Sequence, residues 1–144
     1  MAYKIFADTN VFLDHLLKRA GQWEAAETLF MRAEQKHIEI FTSGISLVNI
    51  AYILEASKMP KPKIKKTLDA VLKYTRVAIS PEKIFQQAIA SEFSDVEDAV
   101  QYFTALHING IEYFVSSNLR DFKKALPVLP AVSPKQMIEL INKS

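Results

Sequence analysis

The chain has 144 residues, 49% of them hydrophobic and 24% charged, with a net charge of +2 and no cysteine. That composition suits a soluble globular domain with one sizeable core. It excludes disulfides and thiolate metal sites, which makes a reducing cytoplasm the expected compartment, and no apolar run nears the roughly 20 residues that a membrane span needs.

Tyr3 to Ala7 is a short run of apolar and β-forming residues and predicts a buried strand, where a leader peptide would show a basic region followed by an apolar stretch. Asp8-Thr9-Asn10 interrupts it with residues suited to helix caps and turns. Helical spacing follows over Val11 to Lys18 and Trp23 to Ala33, with Gly21 between them. Ile38 to Phe41 predicts a second strand, Thr42-Ser43-Gly44 a turn, and Ile45 to Ser57 a helix with Ile45, Val48 and Tyr52 along one side. After Pro60 and Pro62 comes a basic amphipathic helix, Lys63 to Tyr74, with Ile64, Leu68, Val71 and Leu72 as its apolar stripe.

A third strand at Val77 to Ile79 ends in Ser80-Pro81, a cap followed by a proline suited to a first helical turn. Helices at Glu82 to Ala90 and Val96 to His107 precede a fourth strand, Tyr113 to Val115. Ser116-Ser117-Asn118 repeats the polar strand exit seen after Ala7. A last strand around Val128-Leu129 and a helix from Pro134 to Ile141 complete the pattern. Residues 1–144 therefore read as one α/β domain, a three-layer α/β/α arrangement around a parallel sheet of about four or five strands. In such folds ligands bind beyond the carboxyl ends of the strands, where Asp8, Asn118 and Asp121 fall.

Charge is unevenly distributed. Lys58, Lys61, Lys63, Lys65, Lys66, Lys73 and Arg76 face a single acid, Asp69, whereas Glu92, Asp95, Glu97 and Asp98 lie in an acidic run. The lysines either track a phosphate backbone or merely solvate a helix face. Asp8 is either a helix cap or a ligand, and the acids at 95–98 are equally suited to the positive end of a helix dipole. Asp95 and Asp98, about 60° apart on a helix, are placed to face one crevice, while Glu97, rotated about 100° from Asp98, is expected in solvent. Aspartates from two strand ends and one helix start converge in a parallel sheet, and carboxylates so gathered repel unless a cation neutralises them. Oxygen ligands without cysteine favour Mg²⁺ or Mn²⁺, which activates water and stabilises charge during phosphodiester hydrolysis.

Four motifs in order carry a resemblance: Asp8-Thr9-Asn10 after the first strand, Ser46-Leu47-Val48-Asn49 on an early helix, Glu97-Asp98-Ala99 opening a late helix, and Ser116-x-Asn118-x-x-Asp121-Phe122 after a late strand. Together they resemble the PIN domain, whose bacterial VapC-type members are ribonuclease toxins paired with an antitoxin. The resemblance covers nearly the whole chain. It implies an Mg²⁺- or Mn²⁺-dependent endoribonuclease with Asp8 and Asp98 as metal carboxylates and Ser116 as a supporting hydroxyl. Asp121 is expected to stand in for an acid that the family often has where Asn118 lies. Asn10, Ser46, Asn49, Asp95 and Asn118 are further supporting residues, and Lys58, Lys61, Lys63, Lys65 and Lys66 are the candidate RNA contacts.

The family usually carries glutamate where Asn49 stands, so a weakly active or inactive RNA- or protein-binding module is the alternative. A branch of the family in which both asparagines are usual fits the sequence as well. Family resemblance also implies a homodimer and an antitoxin partner. Phe12, Leu16, Trp23 and Leu29 are the apolar residues expected to exceed the needs of one core. His15, His37 and His107 show no ligand spacing, and the few glycines form no phosphate loop.

Overall fold

The computed structural model describes residues 2–144. Its sheet is parallel throughout, in the order β3-β2-β1-β4-β5, with β1 at Tyr3–Ala7, β2 at Ile38–Ser43, β3 at Thr75–Ala78, β4 at Tyr113–Val115 and β5 at Ala131–Val132. The helices are α1 (Thr9–Leu16), α2 (Trp23–Glu34), α3 (Gly44–Ala56), α4 (Lys61–Tyr74), α5 (Glu82–Ala90), α6 (Val96–Leu106) and α7 (Pro134–Lys143), and a 3-10 turn spans Leu119–Phe122. The three-layer α/β/α arrangement expected from the sequence is the one observed.

Alternate residues of the central strands feed two cores. Ile5, Ala7, Ile38, Ile40 and Val115 pack with Val11, Phe12, Leu29, Ile50 and Met137 from the helices on one face. Phe6 and Phe114 turn to the other, where they meet Tyr102, Ala105, Phe122 and Leu129. Phe6 stacks on Phe114 with centroids 5.4 Å apart, and Phe114 lies 4.6 Å from Phe122. Burial on both faces is what makes strands such as Tyr3–Ala7 read as unbroken apolar runs rather than alternating ones.

Several expected elements shift for identifiable reasons. Strand β2 continues through Thr42 and Ser43, and Ser43 then caps α3 by accepting the Ser46 N–H at 3.1 Å. Helix α4 starts at Lys61 and takes Pro62 into its first turn, where a missing N–H costs nothing. The N-cap of α5 is Pro81, while Ser80 shares a 2.7 Å hydrogen bond with Thr104 instead. The last strand is Ala131–Val132 rather than Val128-Leu129, because Leu129 is fully buried and its carbonyl accepts the Tyr102 hydroxyl at 2.7 Å.

The side of α3 that carries Val48 and Tyr52 faces outward, at 69% and 74% exposure, and the helix buries Ser46, Ile50 and Leu54. Phe12 and Leu29, expected to be in surplus, are fully buried in the chain's own core. No helix among the described residues is long and apolar enough to cross a membrane.

Phe114 joins the stacked pair to the Tyr102 and Phe122 rings. Phe114→Ala is expected to lower the unfolding free energy by about 3–5 kcal/mol, measured by urea denaturation, because the space it vacates is walled by rings that collapse poorly.

Candidate metal centre at the strand ends

The strand order reverses direction between β1 and β4, and connections leaving such a pair on opposite sides open a crevice beyond the strand ends. Asp8 leaves β1 there and Ser116 leaves β4. The ladder runs one residue past the strands: the Asp8 N–H donates to the Val115 carbonyl at 3.0 Å, and the Ser116 N–H to the Val132 carbonyl at 3.0 Å.

Asp8 is 2% exposed. It does cap α1: its Oδ1 accepts the backbone N–H groups of Asn10 at 2.9 Å and Val11 at 3.3 Å. Burial pushes its carboxyl up from 3.8 to about 6, against hydrogen bonds from Ser116, Val11 and Asn10 and with a smaller push from Asp14. A cap bound through one oxygen still has a second oxygen to offer, so capping and ligation are compatible.

Asp98 sits in the first turn of α6, where Asp95 is the N-cap and accepts the Asp98 N–H at 3.0 Å. Burial, and then the charges of Asp95, Asp121, Asp8 and Glu97, push the Asp98 carboxyl up from 3.8 to about 7. Every coulombic influence in that set is another carboxylate. The fold thus brings Asp8 and Asp121, 113 residues apart in the chain, into the field of Asp98. Asp121 is exposed on the 3-10 turn and accepts the Asn118 side-chain N–H at 2.6 Å, while the Asn118 backbone N–H donates to Ser116 Oγ at 3.0 Å.

Glu97 is exposed, as expected, and there accepts a hydrogen bond from the Asn49 side chain of α3. Burial and the nearby Asp95 raise its pKa, and the bond from Asn49 lowers it. Glu97 rotates away from Asp98 about the helix axis, toward solvent and the Asn49 amide.

Beneath the acids lies a polar floor. Thr9 Oγ1 donates to Ser46 Oγ at 3.1 Å, and Ser43 Oγ donates to the same atom at 3.2 Å. Ser46 Oγ donates to Gln101 Oε1 at 2.9 Å, and the Thr9 N–H reaches that oxygen at 3.2 Å. Ser46 is thus fully buried support that ties the starts of α1 and α3 to the middle of α6. Sequence reasoning misses Ser43, Thr9 and Gln101 as site residues; the available signal is Gln101, a polar residue on the apolar side of α6, three positions after Asp98.

Asn10 directs its side-chain oxygen to Arg19 Nη1 at 3.1 Å, and the same guanidinium nitrogen lies 3.4 Å from Asp14 Oδ1. Lys58, Lys61, Lys63, Lys65 and Lys66 are exposed and form no ion pair among the described residues.

The donors at the strand ends are all oxygens, which suits a hard cation. Among the described residues no three acids or histidines are already arranged to close around one ion.

A PIN domain family model matches residues 4–120. Among solved structures, VapBC2 of Rickettsia felis bound to a DNA fragment of its promoter aligns with a TM-score of 0.64 and 19% identity over 90% of this chain and 98% of that one. A toxin–antitoxin complex from Klebsiella pneumoniae gives 0.64 and 20% over 90% and 97%. VapC20 of Mycobacterium tuberculosis, a toxin that cleaves the sarcin–ricin loop, gives 0.64 and 15% over 87% and 98%. No curated protein sequence matches the chain.

A buried carboxyl titrating near 6 in the folded chain and near 3.8 unfolded keeps its proton longer when folded. Its contribution is therefore most favourable below about pH 4 and is lost as the pH rises through about 6. Asp8→Asn is expected to stabilise the metal-free protein at pH 8 by on the order of 1–3 kcal/mol, and far less at pH 4, by thermal denaturation at both pH values.

Proposed function

The chain belongs to the PIN domain family, and we propose that it is a divalent-metal-dependent endoribonuclease that hydrolyses RNA phosphodiester bonds. The observation that carries this reading is the placement of Asp8 and Asp121 beyond the ends of β1 and β4 and of Asp98 at the start of α6, near enough for their charges, with those of Asp95 and Glu97, to raise the Asp98 carboxyl. A pocket built this way gains most from a bound divalent ion. When bound, Mg²⁺ or Mn²⁺ supplies Lewis-acid activation of water and stabilises the charge that develops on the phosphate.

The chain's own residues do the rest. Asp8 and Asp98 would hold the cation at the switch point, and the exposed Asp121 would add a carboxylate. Ser116 steadies both Asp8 and the Asn118 backbone. The exposed lysines at 58–66 attract the RNA backbone. The toxin–antitoxin assemblies among the structural neighbours support a toxin role, with an antitoxin as protein partner.

A second copy of the chain is the other partner. Ile45, Val77, Ile79 and Phe85 line one apolar groove; Ile79 is 85% exposed, and Ile89, one turn beyond Phe85 on α5, is 73% exposed. With Val48 and Tyr52 of α3, this makes an apolar face without a charged side chain among the residues named. A two-fold contact would cover it with the same surface of the partner copy.

Two outcomes are expected. Purified protein cleaves RNA with Mn²⁺ or Mg²⁺ and not with EDTA, and Asp8→Asn lowers the rate by at least about a hundredfold, as loss of a metal ligand does; equal cleavage by that variant defeats the assignment. Sedimentation equilibrium finds a dimer that Ile79→Asp combined with Ile89→Asp converts to monomer, and a monomeric parent would refute the two-fold contact.

A further inference from the structure

Asn49 lies where an acid is expected in this family, and its side chain is engaged, donating a hydrogen bond to Glu97. The bond joins α3 to α6 and is the outer of two rungs between them. The inner rung is the Ser46 hydroxyl donating to Gln101 Oε1 at 2.9 Å. Ser46 and Asn49 are one turn apart on α3, and Gln101 and Glu97 are one turn apart on α6, so each helix presents its two rung residues on one side. The inner rung is fully buried at Ser46 and fixes the distance between the helices. The outer rung consequently holds the Glu97 carboxylate across from α3, beside Asp98, which senses its charge.

We propose that Glu97, positioned by the Asn49 amide, supplies the carboxylate that position 49 lacks and strengthens divalent-cation binding at the Asp8–Asp98 centre. This rests on the nuclease reading above. Asn49 engages Glu97 through its nitrogen, which leaves one Glu97 oxygen free to face the cation or a water on it. The carboxylate has been exchanged between helices rather than deleted, and the asparagine is a positioning residue.

Calorimetric titration with MnCl₂ alone, on protein freed of metal, reads this independently of cleavage. Glu97→Gln keeps the size and the hydrogen-bonding capacity but removes the charge, and is expected to weaken Mn²⁺ binding about ten- to a hundredfold. The double variant Asn49→Glu with Glu97→Gln returns the carboxylate to α3 and inverts the hydrogen bond, so Mn²⁺ binding should recover to within about threefold of the parent, given that outer partners act through charge and orientation. Circular dichroism melts confirm that each variant is folded. Asp8→Asn is the control for the centre itself. Wild-type binding in Glu97→Gln alongside loss in Asp8→Asn overturns this inference and leaves the nuclease reading standing. Loss in Glu97→Gln without recovery in the double variant also overturns it. No Mn²⁺ binding by the parent removes both.

Discussion

Repulsion among carboxylates at the ends of β1 and β4 is the constraint around which this molecule is organised. Asp98 alone senses four other acids, and burial has already made its charged form costly. Such a group is tolerated only where the surroundings oppose the cost. Part of the opposition comes from the backbone: Asp8 accepts two N–H groups at the start of α1, and Asp98 sits in the first turn of α6. The positive ends of two helix dipoles thus meet the same crevice, each offsetting roughly 0.3–1 kcal/mol per charge. A shift that leaves Asp98 near 7 means that these dipoles fall short of neutralising the cluster.

The floor beneath the acids explains how side chains from such distant parts of the chain hold their places. Thr9, Ser43, Ser46 and Gln101 tie the starts of α1 and α3 to α6 through hydrogen bonds of 2.9–3.2 Å. A buried polar network of this kind has value only when its members are satisfied, and then it fixes one arrangement. Asp98 and Gln101 lie one turn apart on α6. The same turn that anchors the network therefore aims the carboxylate, and movement of α6 would strain both.

What the sequence reveals, and what it hides, follows from the range of the interactions involved. Strands such as Tyr3–Ala7 and helices such as Glu82–Ala90 declare themselves through local runs and periods, and Asp8 and Asp98 through their places at element boundaries. Helix α3 declares itself too, but its buried face does not, because the helix is apolar nearly all round. Ile45, Val48 and Tyr52 do share a side, but periodicity cannot say whether that side or the one bearing Ile50 and Leu54 meets the sheet. Leu129 misleads in the opposite way: a buried apolar residue beside Val128 looks like a strand, yet it is held by the Tyr102 hydroxyl. Glu97 stays hidden because its partner is 48 residues away on another helix.

The two asparagines follow one logic. Asn118 donates its amide to Asp121, and Asn49 donates its amide to Glu97. Each orders a carboxylate, Asp121 three positions along the chain and Glu97 on another helix. An acid at either place would add a charge to a cluster in which Asp98 already keeps its proton to about pH 7. An amide adds none and offers donors that carboxylates lack. Each amide therefore holds a carboxylate in place without adding to the repulsion within the cluster.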